Sequence, residues 1–108
     1  MQVRALDEMV GGWFVGDFQP SALRTRGAEV AVKRFAAGDV EAEHVHRIAT
    51  ELTAIVSGEA ELGGRHLVAG DIAVLEPGEA AGFRALTDVV LVAVKVPSVA
   101  GDKHEAPA

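Results

Sequence analysis

The chain has 108 residues, a formal net charge of −6 and no cysteine. This length predicts one domain with a single core. Without cysteine the chain cannot form disulfides or thiolate metal sites, so any metal must be held by His, Asp or Glu. The net charge is negative, and Lys and Arg are dispersed along the chain. The chain therefore lacks the clustered basic residues that bind nucleic-acid phosphates, which argues against a nucleic-acid partner.

The N-terminal segment, residues 1–28, differs from the middle of the chain. Residues 1–9 predict equally a short helix or an added strand, and Gly11-Gly12 separates them from an apolar run that begins at Trp13. The segment has no long apolar core behind a basic region, as a secretory signal would have. No window of the chain approaches the roughly 18 apolar residues that cross a bilayer. We therefore expect a soluble, cytoplasmic protein with no membrane partner.

The middle of the chain, residues 29–96, consists of short apolar or alternating runs broken by Gly, Asp and Pro. This pattern is typical of an all-β sandwich or barrel. Gly63-Gly64 predicts a type I′ hairpin, because both positions of that turn require a positive φ. The predicted strands are Glu29–Phe35, Glu43–Arg47, Thr50–Ser57, Glu59–Leu62, Arg65–Val68, Ile72–Glu76, Ala80–Leu86 and Val89–Val96.

The C-terminal tail, residues 97–108, is small and polar, so we expect it to pack little and to be flexible. His104 lies in this tail, and His66 follows the Gly63-Gly64 hairpin, where surface exposure is usual. Both histidines are therefore weak candidates for metal ligands. The serines lie in no G-x-S-x-G elbow and glycine-rich phosphate loops are absent, which leaves nucleophilic catalysis and phosphate loops without support.

Three residues of the middle region, His44, His46 and Glu51, have the chemistry of a metal site. Two histidines one residue apart on a strand point to the same face, and a carboxylate on the next strand can reach the same point. Two imidazoles and a carboxylate are the donors of open sites for ferrous iron and related metals. A buried carboxylate is costly unless it is paired or coordinated, so packing alone does not explain Glu51. The alternative is that these residues order the barrel by hydrogen bonding and bind no metal firmly.

The positions of Gly38, His44, His46, Glu51 and Gly58 resemble the first motif of the cupin superfamily at every defined position. The resemblance implies an all-β, single-domain fold, the double-stranded β-helix or cupin jelly-roll barrel, over residues 29–96. It also implies a divalent metal ion, Fe, Mn, Ni, Co or Zn, held by the two histidines and the glutamate.

A second stretch is similar to the second cupin motif but departs from it. Gly70-Asp71, the apolar run after them and Pro77-Gly78 match its opening. Glu76 stands where the family usually has proline, Ala85 stands where asparagine is typical, and Ala81 occupies the position of the third metal-binding histidine. The predicted site therefore lacks one imidazole.

Neighbours of Ala81 could compensate for the missing imidazole. Glu79 lies two residues earlier and so shares the face of Ala81, where a carboxylate could partly replace the imidazole. Glu76 is a weaker candidate by the same parity. Phe83 also shares that face and is expected to fill part of the space.

Two lysines on predicted strands have opposite expected roles. Lys33 and Arg34 are adjacent, and strand parity points Lys33 inward. An inward Lys33 would either orient a carboxylate or phosphate of a ligand, or neutralise Glu51 or Glu79 as a structural pair. Lys95 is expected to be a solvated charge near a strand end.

Two functions from different classes follow from the resemblance. The first is a metal-dependent enzyme, an isomerase, epimerase, lyase, cyclase or oxygenase, acting on a sugar derivative, a carboxylate or a natural-product intermediate. In it, Glu51 and Glu79 are the candidate catalytic residues and redox-neutral chemistry is preferred. The second is a non-catalytic cupin that binds a small molecule or serves as an accessory protein. Exposed strand edges and the family resemblance both predict a homodimer, in which the N-terminal segment packs on the barrel or is exchanged.

Overall fold

The computed structural model describes residues 1–106 and consists of two sheets that face each other. Two short 3₁₀ helices precede the strands, at Leu6–Glu8 and Val10–Gly12. The strands are β1 (Trp13–Gly16), β2 (Leu23–Arg24), β3 (Glu29–Phe35), β4 (Val40–His46), β5 (Thr50–Ser57), β6 (Glu59–Leu62), β7 (Arg65–Val68), β8 (Ile72–Leu75), β9 (Ala80–Ala85), β10 (Val89–Val96) and β11 (Lys103–Glu105). Neither helix is of a length or hydropathy that would let it traverse a membrane.

The first sheet has six strands in the order β2-β1-β3-β10-β5-β8, and the second has five in the order β11-β4-β9-β6-β7. Consecutive strands thus alternate between sheets over much of the chain, as in a double-stranded β-helix. The all-β fold predicted from the sequence is confirmed. Strands β3, β5, β6, β7 and β10 have the predicted bounds, whereas β4 begins earlier, at Val40 rather than Glu43. Gly63 and Gly64 have φ values of 57° and 78°, as the predicted hairpin requires.

The core lies between the sheets and is formed by alternate residues of facing strands. Ala31 is fully buried, and Ile55, Phe83, Val89 and Leu91 are at most 6% exposed. The Phe83 ring packs on that of Phe35 with a centroid separation of 4.6 Å. Phe83 therefore fills interior space on the face of Ala81, as predicted.

The N-terminal segment packs on the barrel through one edge of the first sheet. Its helices are followed by β1, which pairs antiparallel with β3. A side chain at Gly12, which has a φ of +81°, would place its Cβ 2.0 Å from the Val32 carbonyl oxygen. Glycine is therefore required where this segment crosses the sheet edge.

The C-terminal tail packs more than its composition predicts. Strand β11 pairs antiparallel with β4, placing Lys103 opposite His46 and Glu105 opposite His44. Asp102 is only 6% exposed. The expectation of a tail with little to pack is therefore wrong for residues 97–106, and residues 107–108 lie outside the described part of the chain. The tail packs because Asp102 makes hydrogen bonds to the turn between β4 and β5, which is distant in sequence.

Candidate metal site

The predicted ligands His44, His46 and Glu51 come together at the inner side of the barrel. The histidines lie two residues apart on β4, and Glu51 lies near the start of β5, after the short turn that joins these strands. One donor atom of each residue lies within 4.8 Å of those of the other two. The His46 and Glu51 side chains are only 7% and 14% exposed. These two side chains are thus largely shielded from water, whereas His44 is only half-buried.

Both imidazole rings are oriented by backbone carbonyl groups. His44 Nδ1 lies 3.0 Å from the Ala42 oxygen, and His46 Nδ1 lies 3.2 Å from the Asp102 oxygen. A carbonyl oxygen only accepts hydrogen bonds, so Nδ1 carries the proton in each ring. Metal-bound histidines adopt the same arrangement, in which Nδ1 donates to a carbonyl or carboxylate oxygen and Nε2 is left for the ion.

The Glu51 carboxylate has an oxygen that the described residues leave without a hydrogen bond. Glu51 Oε2 is buried and lies 2.7 Å from His46 Nε2, but the pair does not meet hydrogen-bond geometry. Burial raises the pKa of Glu51, but the adjacent His46, together with Lys95 and His44, outweighs this effect and holds the pKa below its ordinary value. A buried, ionised carboxylate oxygen beside His46 Nε2, with a donor atom of each ligand candidate within 4.8 Å of the other two, fits a divalent cation that all three residues would hold.

Asp102 holds the turn between the two ligand-bearing strands. Its carboxylate accepts hydrogen bonds from the backbone N–H groups of Arg47, Ile48 and Ala49 at 2.9 to 3.2 Å. Burial raises the pKa of Asp102, but these three donors lower it by more, so the pKa lies below its ordinary value. One residue thus orients the His46 ring through its carbonyl and shapes the turn through its side chain. The sequence analysis missed this role.

Ala81 lies where the second-motif alignment places the third histidine. It is directly opposite His44 in the β4–β9 pairing and is 3% exposed. Together with His44 and Glu51 it lines an interior cavity of about 30 Å³. The position therefore faces the cluster, and alanine leaves that side without a donor.

Restoring an imidazole at this position is expected to strengthen metal binding. Ala81→His should raise the affinity for Co²⁺ or Ni²⁺ by about 10-fold or more, since even outer-shell changes alter metal affinity by 10- to 100-fold. Isothermal titration of the metal-free protein measures the effect. Ala80→His, on the opposite face of β9, is the matched control and should leave the affinity unchanged. An equal affinity in Ala81→His and wild type would contradict the proposed ligand geometry.

Other predicted site residues lie away from the cluster. Glu79 and Glu76 are exposed, and Glu79 lines a surface groove outside Ala81. His66 is also at the surface, as predicted, with Nε2 3.0 Å from Glu59 Oε2. His104 lies on β11, where its ring faces Asp102 at 3.8 Å. None of these four joins the three ligand candidates among the described residues.

The interior contains charges that the sequence analysis assigned differently or missed. Lys33 points into the barrel as predicted, but its partner is Glu41, at 3.8 Å, rather than Glu51 or Glu79. The expectation of a solvated Lys95 is wrong, because this side chain is 19% exposed and pairs with Glu29 at 3.4 Å. Glu41 was missed because the predicted strand began at Glu43, whereas β4 begins at Val40, and a register shift between residues 41 and 44 breaks the alternation that would relate Glu41 to His44. No local signal reveals this bulge.

The two facing sheets define the fold class of this chain. It has the double-stranded β-helix fold, which solved structures of cupin-superfamily proteins share. No protein-family model matches the sequence, and a search of curated proteins also found no match.

Solved structures with this fold resemble the chain to different extents. An uncharacterized conserved protein with a double-stranded β-helix domain from Klebsiella pneumoniae is 29% identical, with a TM-score of 0.73 over 98% of this chain and 93% of that chain. KdgF from Halomonas sp. is 26% identical, with a TM-score of 0.64 over 70% of this chain and 74% of that chain. A sugar phosphate isomerase of the cupin superfamily from Silicibacter pomeroyi is 20% identical, with a TM-score of 0.62 over 67% of this chain and 52% of that chain, and shows likeness of fold alone.

Proposed function

We propose that this protein is a cytoplasmic, metal-binding cupin that acts on a small polar metabolite. The observation that carries the proposal is that one donor atom from each of His44, His46 and Glu51 lies within 4.8 Å of the other two. His46 Nε2 lies 2.7 Å from a buried carboxylate oxygen of Glu51 that makes no hydrogen bond among the described residues. Packing alone does not explain such a group, because an ionised oxygen without a partner is unfavourable in the interior.

A divalent ion of Fe, Mn, Ni, Co or Zn would be held by these three residues. The bound metal would polarise a carbonyl or hydroxyl oxygen of the substrate. We favour redox-neutral chemistry, as in an isomerase, epimerase, lyase or cyclase, because oxygen chemistry normally needs a firmly held redox metal and Ala81 provides no third imidazole. Substrates consistent with this site are a sugar derivative, a carboxylate or a natural-product intermediate.

The shape of the interior indicates where the substrate would lie. The cavity at the cluster, about 30 Å³, has room for about two water molecules. A groove of about 430 Å³ outside it shares Leu62, Leu75 and Ala81 with the cavity lining. The substrate would occupy this groove and reach the cluster past the small Ala81 side chain. Glu79 in the groove and Glu51 in the cluster are the candidates for proton transfer.

Metal binding is tested first, on protein purified without a histidine tag. We expect stoichiometric metal by elemental analysis, or a rise in the free energy of unfolding of about 2.7 kcal/mol when free metal is about 100 times its Kd. Thermal melts of the metal-free protein with Mn²⁺, Fe²⁺, Co²⁺, Ni²⁺ and Zn²⁺ measure this rise. His44→Ala should abolish it. A wild type with no bound metal and no stabilisation by any of the five would remove the basis of the enzymatic proposal.

A second function, a non-catalytic cupin that binds a small molecule or serves as an accessory protein, is favoured by one observation. Ala81 faces the cluster and offers no donor where the family motif has histidine. A chain that performs no turnover can tolerate this loss. Failure of all five metals to bind would leave this function as the remaining proposal.

A further inference from the structure

The cavity beside the three ligand candidates is also lined by an ammonium group. Lys33, which points inward from β3, lines the same cavity of about 30 Å³ as His44 and Glu51. Its side chain is 22% exposed, and the carboxylate oxygen of its partner Glu41 lies 3.8 Å away, beyond hydrogen-bonding distance. An ammonium group carries three donor hydrogens. The ion pair with Glu41 uses none of them in a hydrogen bond, so they are available to a ligand.

Glu41 does not depend on Lys33 alone for neutralisation. Its other carboxylate oxygen, Oε2, lies 3.6 Å from Lys103 Nζ on β11. Two ammonium groups thus share one carboxylate. The Lys103 side chain is 57% exposed, so water and salt can screen its charge. Lys33 is less exposed and lines the cavity, which makes it the cation that a ligand in the interior would meet.

A divalent ion at the cluster would give the cavity lining an excess of positive charge. The lining contains two carboxylates, Glu41 and Glu51, and one ammonium group, Lys33. With the histidines neutral, a doubly charged ion brings the balance to one positive charge in excess. The rest of the lining is apolar apart from Thr53, and an unpaired charge is unfavourable in such surroundings. A ligand with one negative charge would restore neutrality.

The size of the cavity selects the kind of anion. A volume of about 30 Å³ has room for about two water-sized atoms. A carboxylate presents two oxygens in one plane, whereas a phosphate group is tetrahedral and needs more space. Thr53 lines the cavity and is 5% exposed, and its hydroxyl group can donate a hydrogen bond to an anion. The cavity therefore suits a carboxylate better than a phosphate.

We propose that the protein binds a small carboxylate ligand, and that Lys33 is the residue that selects it. The carboxylate lies in the cavity and accepts charge-assisted hydrogen bonds from Lys33 Nζ. The remainder of the ligand extends past Ala81 into the outer groove. This inference narrows the substrate classes to carboxylates, and it rests on the proposed function because a bound metal creates the excess charge.

Calorimetric titration of the Zn²⁺-loaded full chain tests this inference with acetate and acetamide, which have nearly the same shape but differ in charge. Wild type should bind acetate at least about 10-fold more tightly than acetamide, because hydrogen bonds between charged groups are about twice as strong as neutral ones. Sulfate, a tetrahedral anion, should bind more weakly than acetate.

Substitution of Lys33 separates its contribution from that of the metal. Lys33→Gln should weaken acetate binding at least about 10-fold and leave acetamide binding unchanged. The matched control is Lys103→Gln, which removes the other ammonium group at Glu41 and should bind acetate as wild type does.

Circular dichroism establishes that each variant is folded, and elemental analysis gives the metal content of each sample. Lys33→Met, which fills similar space without a charge, replaces Lys33→Gln if that variant does not fold. The wild-type comparison of acetate with acetamide requires neither variant.

The outcomes distinguish this inference from the proposed function. Absence of bound metal in wild type would remove the proposed function and this inference with it. With metal bound, equal affinities for acetate and acetamide, or unchanged acetate binding in Lys33→Gln, would overturn this inference alone. Equal weakening in Lys103→Gln, or tighter binding of sulfate than of acetate, would overturn it too.

Discussion

Divalent-metal affinity is expected to fall by at least about 100-fold when His46 is replaced by alanine, since loss of an outer-shell partner alone costs 10- to 100-fold. The ring is 7% exposed, and its Nε2 lies 2.7 Å from the carboxylate oxygen that would share the metal. Its removal therefore takes away one of three donors and the contact that brings Glu51 into the cluster. Isothermal titration with Co²⁺ and Zn²⁺ measures the affinity of both proteins.

A matched control for this substitution is His66→Ala. His66 is the exposed histidine on β7, paired with Glu59, and its loss should leave metal affinity unchanged. Melts of the metal-free proteins show whether His46→Ala affects folding itself. If His46→Ala retains wild-type affinity while His66→Ala loses it, the metal binds at the surface pair and the assigned cluster is wrong.

The free energy of unfolding is expected to fall by about 3 kcal/mol in Asp102→Ala, which corresponds to a decrease in Tm of about 15 °C for a domain of this size. The buried carboxylate accepts backbone hydrogen bonds from three consecutive residues of the β4–β5 turn. Alanine would leave these N–H donors without an acceptor. The free-energy cost of an unsatisfied buried donor exceeds the net stabilisation that a typical hydrogen bond provides. Urea denaturation measures the change.

Asp71→Ala is the comparison for this stability effect. Asp71 also accepts a backbone hydrogen bond, from Val68 at 2.8 Å, but in an exposed turn where water can replace it. Its substitution should cost less than about 1 kcal/mol. Asp102→Asn, which keeps one carboxamide oxygen as acceptor, should fall between wild type and Asp102→Ala. Equal losses in Asp71→Ala and Asp102→Ala would show that Asp102 does not brace the turn.

Local chemistry explains why the strands and the two histidines could be predicted. Every predicted strand except Glu43–Arg47 is followed within three residues by a Gly, Asp or Pro that interrupts the apolar run, and these residues favour turns wherever they occur. His44 and His46 share a face because alternation along a strand needs no information from elsewhere. The position of Ala81 followed from motif spacing, and its pairing opposite His44 places it at the cluster.

The residues that were missed depend on contacts between distant parts of the chain. Asp102 is 53 to 55 residues away from the turn that it holds, so no pattern near it in sequence reveals its role. Glu41 faces the interior only because of a bulge in β4. Lys95 is buried because the Trp13 ring lies 4.6 Å from its ammonium group and Glu29 pairs with it. Each outcome requires segments that only the folded chain brings together.

The sequence by itself therefore determined the strand pattern, the barrel fold and the three ligand candidates, because turn residues, alternation and motif spacing act locally. The tertiary structure decided which groups surround those ligands: the carbonyl oxygens that orient the imidazoles, the carboxylate that braces the turn and the alanine opposite His44. It also decided that Lys95 is buried beside Trp13 and Glu29 rather than solvated, since the surroundings of a β-strand depend on what packs against each side.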